Sequence, residues 1–194
     1  MKKDIILAGV GGQGILSIAA TIGTAAVKLN MHLKQAEVHG MSQRGGDVSS
    51  NLRISDDEIF SDLIPMGKAD MIISVEPMES LRYLPMLCKD GWLITNTKPF
   101  VNIRNYPEME QVMEEVSKVA NHIALDADGI AKELGSARSA NMVILGAASP
   151  FLGLSFESLE NAVRDIFRRK GDEVIQLNLE ALRAGKKFAE EHMN

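Results

Sequence analysis

Ile5-Ile6-Leu7-Ala8-Gly9-Val10-Gly11-Gly12-Gln13-Gly14 is the stretch on which the reading of the fold turns. Ile5 to Val10 is a short apolar run that ends in glycines, the mark of a strand buried on both faces. From Gln13 the period changes. Ile15, Ile18, Ala19, Ile22, Ala26 and Leu29 recur at helical spacing and give one apolar face. A second strand-like run follows from Leu33 to Val38. Strand, tight glycine turn, helix and strand make a βαβ unit, which predicts parallel strands joined by a right-handed crossover.

Beyond this unit simple alternation breaks. Residues 39–47 form a polar, Gly-rich stretch. Val48–Ile54 and Glu58–Leu63 flank Ser55-Asp56-Asp57, a pattern that predicts a hairpin and hence a mixed sheet. Alternation then resumes. Strands are expected at Met71–Val75, Trp92–Thr95 and His122–Leu125, and helices at Pro77–Leu87, Glu108–Val119 and Asp126–Leu134. Lys89-Asp90-Gly91 reads as a turn. The last sixty or so residues show helical patterning alone, with Asn141–Ala148, a helix capped by Ser155, and Glu173–His192. The expected class is α/β: a three-layer Rossmann-like sheet, mostly parallel, with an antiparallel hairpin insertion and a helical C-terminal portion. Residues 1–194 read as a single domain.

Composition narrows the function. The 194 residues carry a formal net charge of −5, with 45% hydrophobic and 24% charged residues. A non-specific nucleic-acid binder needs a basic face, so nucleic acid is not an expected partner. The basic cluster from Arg164 to Lys170 falls at the end of a helical stretch, where cations favour the helix dipole. Cys88 is the one cysteine, and an iron–sulfur cluster takes about four ligands. No apolar run approaches the roughly 20 residues that span a bilayer, and Met1-Lys2-Lys3-Asp4 lacks the apolar segment of a signal peptide. A cytoplasmic protein is expected. His32, His122 and His192 have no companions at metal-ligand spacing, so no metal site is expected.

The chemistry concentrates in two glycine-rich segments. In the first, Gly9, Gly11 and Gly14 follow a strand and open a helix. Glycine permits the tight turn and close approach, and the helix N-terminus offers free N–H groups to an anion. Glu37, 23 residues after Gly14, stands where a dinucleotide reader places its ribose acid. The same glycines also suit close packing of helix on sheet. The second segment, His39-Gly40-Met41-Ser42-Gln43-Arg44-Gly45-Gly46, follows the second strand and faces the same crevice. A guanidinium beside flexible backbone amides suits a carboxylate or phosphate, or a pairing with another chain. His39 could donate to a carboxylate or a thioester carbonyl. The candidate ligand-binding set is Gly9, Gly11, Gly12, Gln13, Gly14, His39, Gly40, Gln43, Arg44, Gly45 and Gly46. No catalytic residue is assigned. Glu76-Pro77-Met78-Glu79 lies at a strand end, with Glu79 suited to a helix N-terminus. Ser139 and Asn141 read as helix-start residues.

Taken together, Gly9–Gly14 and Glu37–Gly46 resemble the gamma-type subunit of 2-oxoacid:ferredoxin oxidoreductases, and within that family its indolepyruvate branch. Ser61-Asp62-Leu63-Ile64-Pro65, Ala69-Asp70, Glu76–Glu79, Arg138–Met142 and Gly146 extend the resemblance over nearly the whole chain. It implies a non-cluster subunit of an enzyme that oxidatively decarboxylates a 2-oxoacid, here an aryl pyruvate, and transfers the acyl group to coenzyme A. Electrons then pass to ferredoxin. Thiamine diphosphate, magnesium and the iron–sulfur clusters are implied on a larger catalytic subunit, since the chain has no Gly-Asp-Gly followed by paired asparagines. A homodimer is a possible state of the isolated chain. The residues alone leave open a stand-alone dinucleotide-binding oxidoreductase and a scaffolding subunit that binds no ligand.

Overall fold

The computed structural model describes residues 1–39 and 45–193. Its centre is β1 (Lys2–Val10), whose inner residues are buried on both faces. Ile5 and Leu7 enter one core and Ile6 the other, as the two-residue period of a strand requires. Among the described residues the sheet has six strands in the order β2-β3-β1-β4-β5-β6. The others are β2 (His32–His39), β3 (Asp47–Ser55), β4 (Ala69–Ser74), β5 (Leu87–Asn96) and β6 (His122–Leu125). β4, β5 and β6 continue parallel from β1, while β3 runs antiparallel to both β1 and β2. This is the three-layer α/β architecture with a mostly parallel sheet.

Three local expectations are corrected. β1 and β2 do run in the same direction across helix α1 (Ile15–Lys28), but they are not neighbours. β3 stands between them, from Lys2 opposite Ser55 to Val10 opposite Asp47. The hairpin is therefore β2–β3, and burial explains the order. Leu52 and Ile54 of β3 are fully enclosed, whereas β2 carries His32, Lys34, Gln35 and Glu37 and suits an edge. The run Glu58–Leu63 is not a strand. Phe60 and Leu63 point outward, while Ile59 and Ile64 turn in. The carbonyls of Ser61 and Leu63 accept from Arg53 Nη1, each at 3.0 Å, and Ile64 N–H donates to Asn51 Oδ1 at 3.0 Å. Side chains thus take the backbone groups that a ladder would have used. Lys89–Gly91, read as a turn, lies inside β5.

Helices cover both faces. α2 (Pro77–Arg82) and α3 (Met109–Ser117) lie over Ile6, Ile72 and Leu93. The opposite face carries α1, α4 (Ala127–Glu133), α5 (Ala140–Ala148), α6 (Phe156–Phe167) and α7 (Asp172–His192). α6 begins as expected, with Ser155 Oγ accepting from Ser158 N–H at 3.2 Å. α5 is buried from Asn141 to Ala148, so α7 must pack directly on it. The contact is made at two glycines. A Cβ on Gly185 would lie 1.9 Å from Val143 O, and one on Gly146 would lie 2.0 Å from Leu182 O. The helices touch backbone to backbone.

Gly185→Ala forces these helices apart and should destabilise the fold by about 1–3 kcal/mol or more, the cost of overpacking. A fall in the urea midpoint at unchanged slope measures it. An unchanged midpoint contradicts the packing described.

Candidate functional site

The carboxyl ends of β1, β4, β5 and β6 lie along one edge of the sheet, where open α/β folds bind ligands. The glycine turn leaves β1 at this edge. Gly9 is a packing residue, since a Cβ there would sit 2.4 Å from Val75 Cγ2 and 2.9 Å from Ile15 Cδ1. Gln13 closes the turn on itself. Its Oε1 accepts from Val10 N–H at 2.8 Å, and its own N–H donates to Val10 O at 3.1 Å. Gly14 caps α1 with φ +83°, a left-handed value that a Cβ disfavours. Asn141 Nδ2 donates to Gly14 O at 3.1 Å. The first turn of α1 has no side-chain cap and no acidic residue, so its positive end stays open to an anion.

The turn has two working sides. On one, Gly12, Gln13 and Gly14 line a cavity of about 570 Å³ between the sheet edge and the C-terminal helices. Val75, Ile144, Phe167, Val174 and Leu177 give it apolar walls, and Arg138 and Lys170 bring cations. Among the described residues neither cation lies in an ion pair; Lys170 Nζ sits 5.2 Å from the Phe167 ring centre. Asp128, the acid in the lining, accepts from Asn96 Nδ2 at 2.7 Å. On the other side, Gly11 N–H donates to Gly46 O at 2.9 Å, joining the two glycine-rich segments. Gly45 O in turn accepts from Asn102 Nδ2 at 2.7 Å.

The predicted residues divide accordingly. Gly9, Gly11, Gly12, Gln13, Gly14, Gly45 and Gly46 come together at the sheet edge. His39 ends β2 opposite Val48; its side chain, and Gly40, Gln43 and Arg44, lie outside the described residues. Glu37 stands opposite Ser50 on the edge strand β2. With β3 between it and the glycine turn, it does not have the neighbouring-strand position of a ribose acid. Arg138 and Lys170 line the cavity without any local sequence signal for a site. The basic run 164–170 signalled a helix end, and only the α6–α7 corner and the start of α5 bring one cation from each to the cavity.

Glu76 forms a second focus. Its carboxylate is completely buried and caps α2, with Oε2 accepting from Glu79 N–H at 2.8 Å. Oε1 accepts from Phe100 N–H at 3.2 Å and from the Tyr106 hydroxyl. Burial first, and then the bond to Glu76, push the Tyr106 phenol well above its ordinary value. Glu79, also buried, pairs with Arg82 through Nε at 2.7 Å and Nη2 at 3.2 Å. That hydrogen bond and charge raise the Arg82 guanidinium further. Among the described residues no three His, Cys, Asp or Glu side chains gather as metal ligands, and no helix is long and apolar enough to cross a membrane.

Residues 4–188 match the family described as Pyruvate ferredoxin/flavodoxin oxidoreductase. The Indolepyruvate oxidoreductase subunit IorB of Pyrococcus horikoshii is 37% identical, over 100% of both chains. This chain belongs to the pyruvate ferredoxin/flavodoxin oxidoreductase family. It is thereby a subunit of a 2-oxoacid oxidoreductase complex, and with one cysteine in the sequence it is not the subunit that ligates the clusters. Two solved structures share the fold. In the 2-oxoglutarate:ferredoxin oxidoreductase from Magnetococcus marinus, solved with 2-oxoglutarate, coenzyme A and succinyl-CoA, the similarity has TM-score 0.78 at 23% identity. It covers 99% of this chain and 32% of that one. For the pyruvate oxidoreductase subunit PORC from Thermotoga maritima the TM-score is 0.73 at 23% identity, covering 96% of both. The fold thus occurs both as a separate subunit and as about one third of a longer chain.

The Tyr106–Glu76 pair sets a pH dependence. A phenol raised on folding contributes stability below its unfolded pKa of about 10 and loses it as pH rises further. Wild type should therefore lose stability relative to Tyr106→Phe above about pH 10, read from urea unfolding across that range. Parallel profiles contradict the buried hydrogen bond.

Proposed function

We propose that this chain is the gamma-type subunit of a 2-oxoacid:ferredoxin oxidoreductase that acts on aryl pyruvates such as indolepyruvate. In this reading it folds as one domain, works in the cytoplasm, and supplies one wall of a shared site to a larger catalytic subunit. The observation that carries the reading is the joining of the two glycine-rich segments beside an open helix N-terminus and a cationic cavity. That combination is built for an anionic ligand.

Coenzyme A is the anion this wall suits. The backbone at Gly12 and Gly14, the first turn of α1, Arg138 and Lys170 would hold its phosphates. When bound, coenzyme A supplies the thiol that accepts the acyl group. The residues of this chain bind and orient, and the apolar lining of Ile144, Phe167, Val174 and Leu177 excludes water. The sequence has no Gly-Asp-Gly followed by paired asparagines, which supports placing thiamine diphosphate on another subunit. That cofactor, its metal and the clusters belong in this reading to the larger subunit, which also meets ferredoxin. Isolated copies can pair as a homodimer.

A scaffolding role is the second reading. It is favoured by Gly9 and Gln13, whose contacts are spent inside the turn. The dinucleotide reading is disfavoured by the place of Glu37.

The chain is to be co-expressed with the larger subunit and purified as a complex active on indolepyruvate. A charge-assisted hydrogen bond is worth about 1.5–3 kcal/mol, so Arg138→Ala with Lys170→Ala should raise KM for coenzyme A about tenfold or more. The value of kcat and the melting temperature should stay near wild type. An unchanged KM supports the scaffold and overturns the ligand wall. A larger subunit fully active alone overturns both.

A further inference from the structure

The segment between β5 and α3, residues 97–107, is pinned at both ends of its middle stretch. Phe100 N–H and the Tyr106 hydroxyl both donate to Glu76 Oε1. The Glu76 carboxylate is completely buried, and among the described residues it has no cation within ion-pair distance. Its charge is met by donors alone: Glu79 N–H, Phe100 N–H and the Tyr106 hydroxyl. A buried carboxylate that loses donors is costly, so these bonds hold the segment firmly. The raised phenol pKa acts in the same sense, because it keeps the hydroxyl protonated as a donor.

Asn102 lies between the two pins. Its Nδ2 donates to Gly45 O at 2.7 Å, across 57 residues of sequence, while its Oδ1 is buried without a partner among the described residues. An unsatisfied buried acceptor is costly. The carboxamide therefore keeps an orientation that favours Gly45 at the expense of its own oxygen. From Gly45 the connection passes to Gly46, whose carbonyl accepts from Gly11 N–H at 2.9 Å. The links run Glu76, Tyr106 and Phe100, Asn102, Gly45–Gly46, Gly11.

We propose that Tyr106 and Asn102 are positioning residues: segment 97–107 is a tie that fixes Gly45 and Gly46 against the first glycine-rich turn, using the buried Glu76 carboxylate as its anchor. Its importance for the reaction rests on the ligand wall proposed above. The two residues touch no ligand. They brace Gly45 and Gly46, which hold Gly11 of the turn that forms the ligand wall.

The test has two readouts on Asn102→Ala and Tyr106→Phe. In the full-length chain, amide hydrogen exchange at Gly11 should speed up about tenfold or more in either variant, as local opening becomes easier. In the reconstituted complex, KM for coenzyme A should rise several-fold in both variants with kcat held; the melting temperature should hold in Asn102→Ala and fall in Tyr106→Phe, which takes a donor from the buried Glu76 carboxylate. A merely structural role would lower kcat and melting temperature together and leave KM in place. Asn102 sits on a surface segment, so its variant reports even where Tyr106→Phe perturbs folding. Unchanged exchange at Gly11 in both variants overturns the tie. Faster exchange with an unchanged KM, while Arg138→Ala still raises KM, overturns the positioning role and leaves the ligand wall standing. Faster exchange with no change of KM in any variant, Arg138→Ala included, supports the tie and removes the ligand wall instead.

Discussion

The absence of a side chain at Gly9 is the constraint on which the site edge depends. β1, the end of β4 and the start of α1 converge there, with no space for a Cβ against Val75 and Ile15. Any other residue at this position would force the side chains of Val75, Ile15 and Gln13 to give way. The turn from Val10 to Gly14 is then held by its own Gln13 and by α5 through Asn141. A turn fixed on both flanks can keep backbone N–H groups and a helix terminus aimed at one place, which is what binding a phosphate by dipoles requires. The glycines commonly read as ligand contacts therefore differ in role. Gly9 and Gly14 make the geometry, Gly11 is tied through its N–H to Gly46, and Gly12 is exposed.

Periodicity made most of the elements legible. The strand, turn and helix from Ile5 to Lys28, the later strands and the helices after Asp126 follow from apolar spacing and caps. Strand order did not follow. Whether β2 or β3 lies beside β1 is decided by which buries better, and Leu52 and Ile54 settle it only when both strands are compared as partners. The extent of β3's neighbours was also hidden. Glu58–Leu63 has strand-like composition, but Arg53 and Asn51 take its backbone partners, and no local pattern announces a side chain arriving from an adjacent strand. The site was legible on its sheet side, where glycines mark it. It was not legible on its helical side, because Arg138 and Lys170 are ordinary surface cations in sequence and meet only through the α5, α6 and α7 arrangement. Glu76 was visible as a strand-end acid; its link to Tyr106 depends on a loop path that carries no signature.

That arrangement of helices rests on contacts as close as those at Gly9. Gly146 and Gly185 let α7 lie on α5 with backbone touching backbone. The corner between α6 and α7 can then bring Lys170 to the cavity. Packing at one face of the sheet thus places a charge at its edge, and a loss of close approach far from the glycine turn is felt there as a change in electrostatics.

The two ends of the sheet solve one problem in the same way. At the end opposite the cavity, Asp4 is buried and pairs with Arg53 through Nε at 2.7 Å and Nη2 at 3.1 Å, and Arg53 then gathers the carbonyls of Ser61 and Leu63. At the cavity end, buried Glu76 gathers Phe100 N–H and the Tyr106 hydroxyl. Neither buried charge is an efficient source of stability, because desolvation offsets most of what the bonds return. Each does make one loop path far better than its alternatives, since any other path leaves a buried charge short of partners. Loops on an α/β sheet are otherwise free to differ from one another in conformation. Here two of them are tied to the sheet by buried charges, and the one beside the glycine turn passes that order on to Gly45 and Gly46. The rigidity of the site edge is therefore set within the sheet, by Glu76, and needs no contact from the ligand to create it.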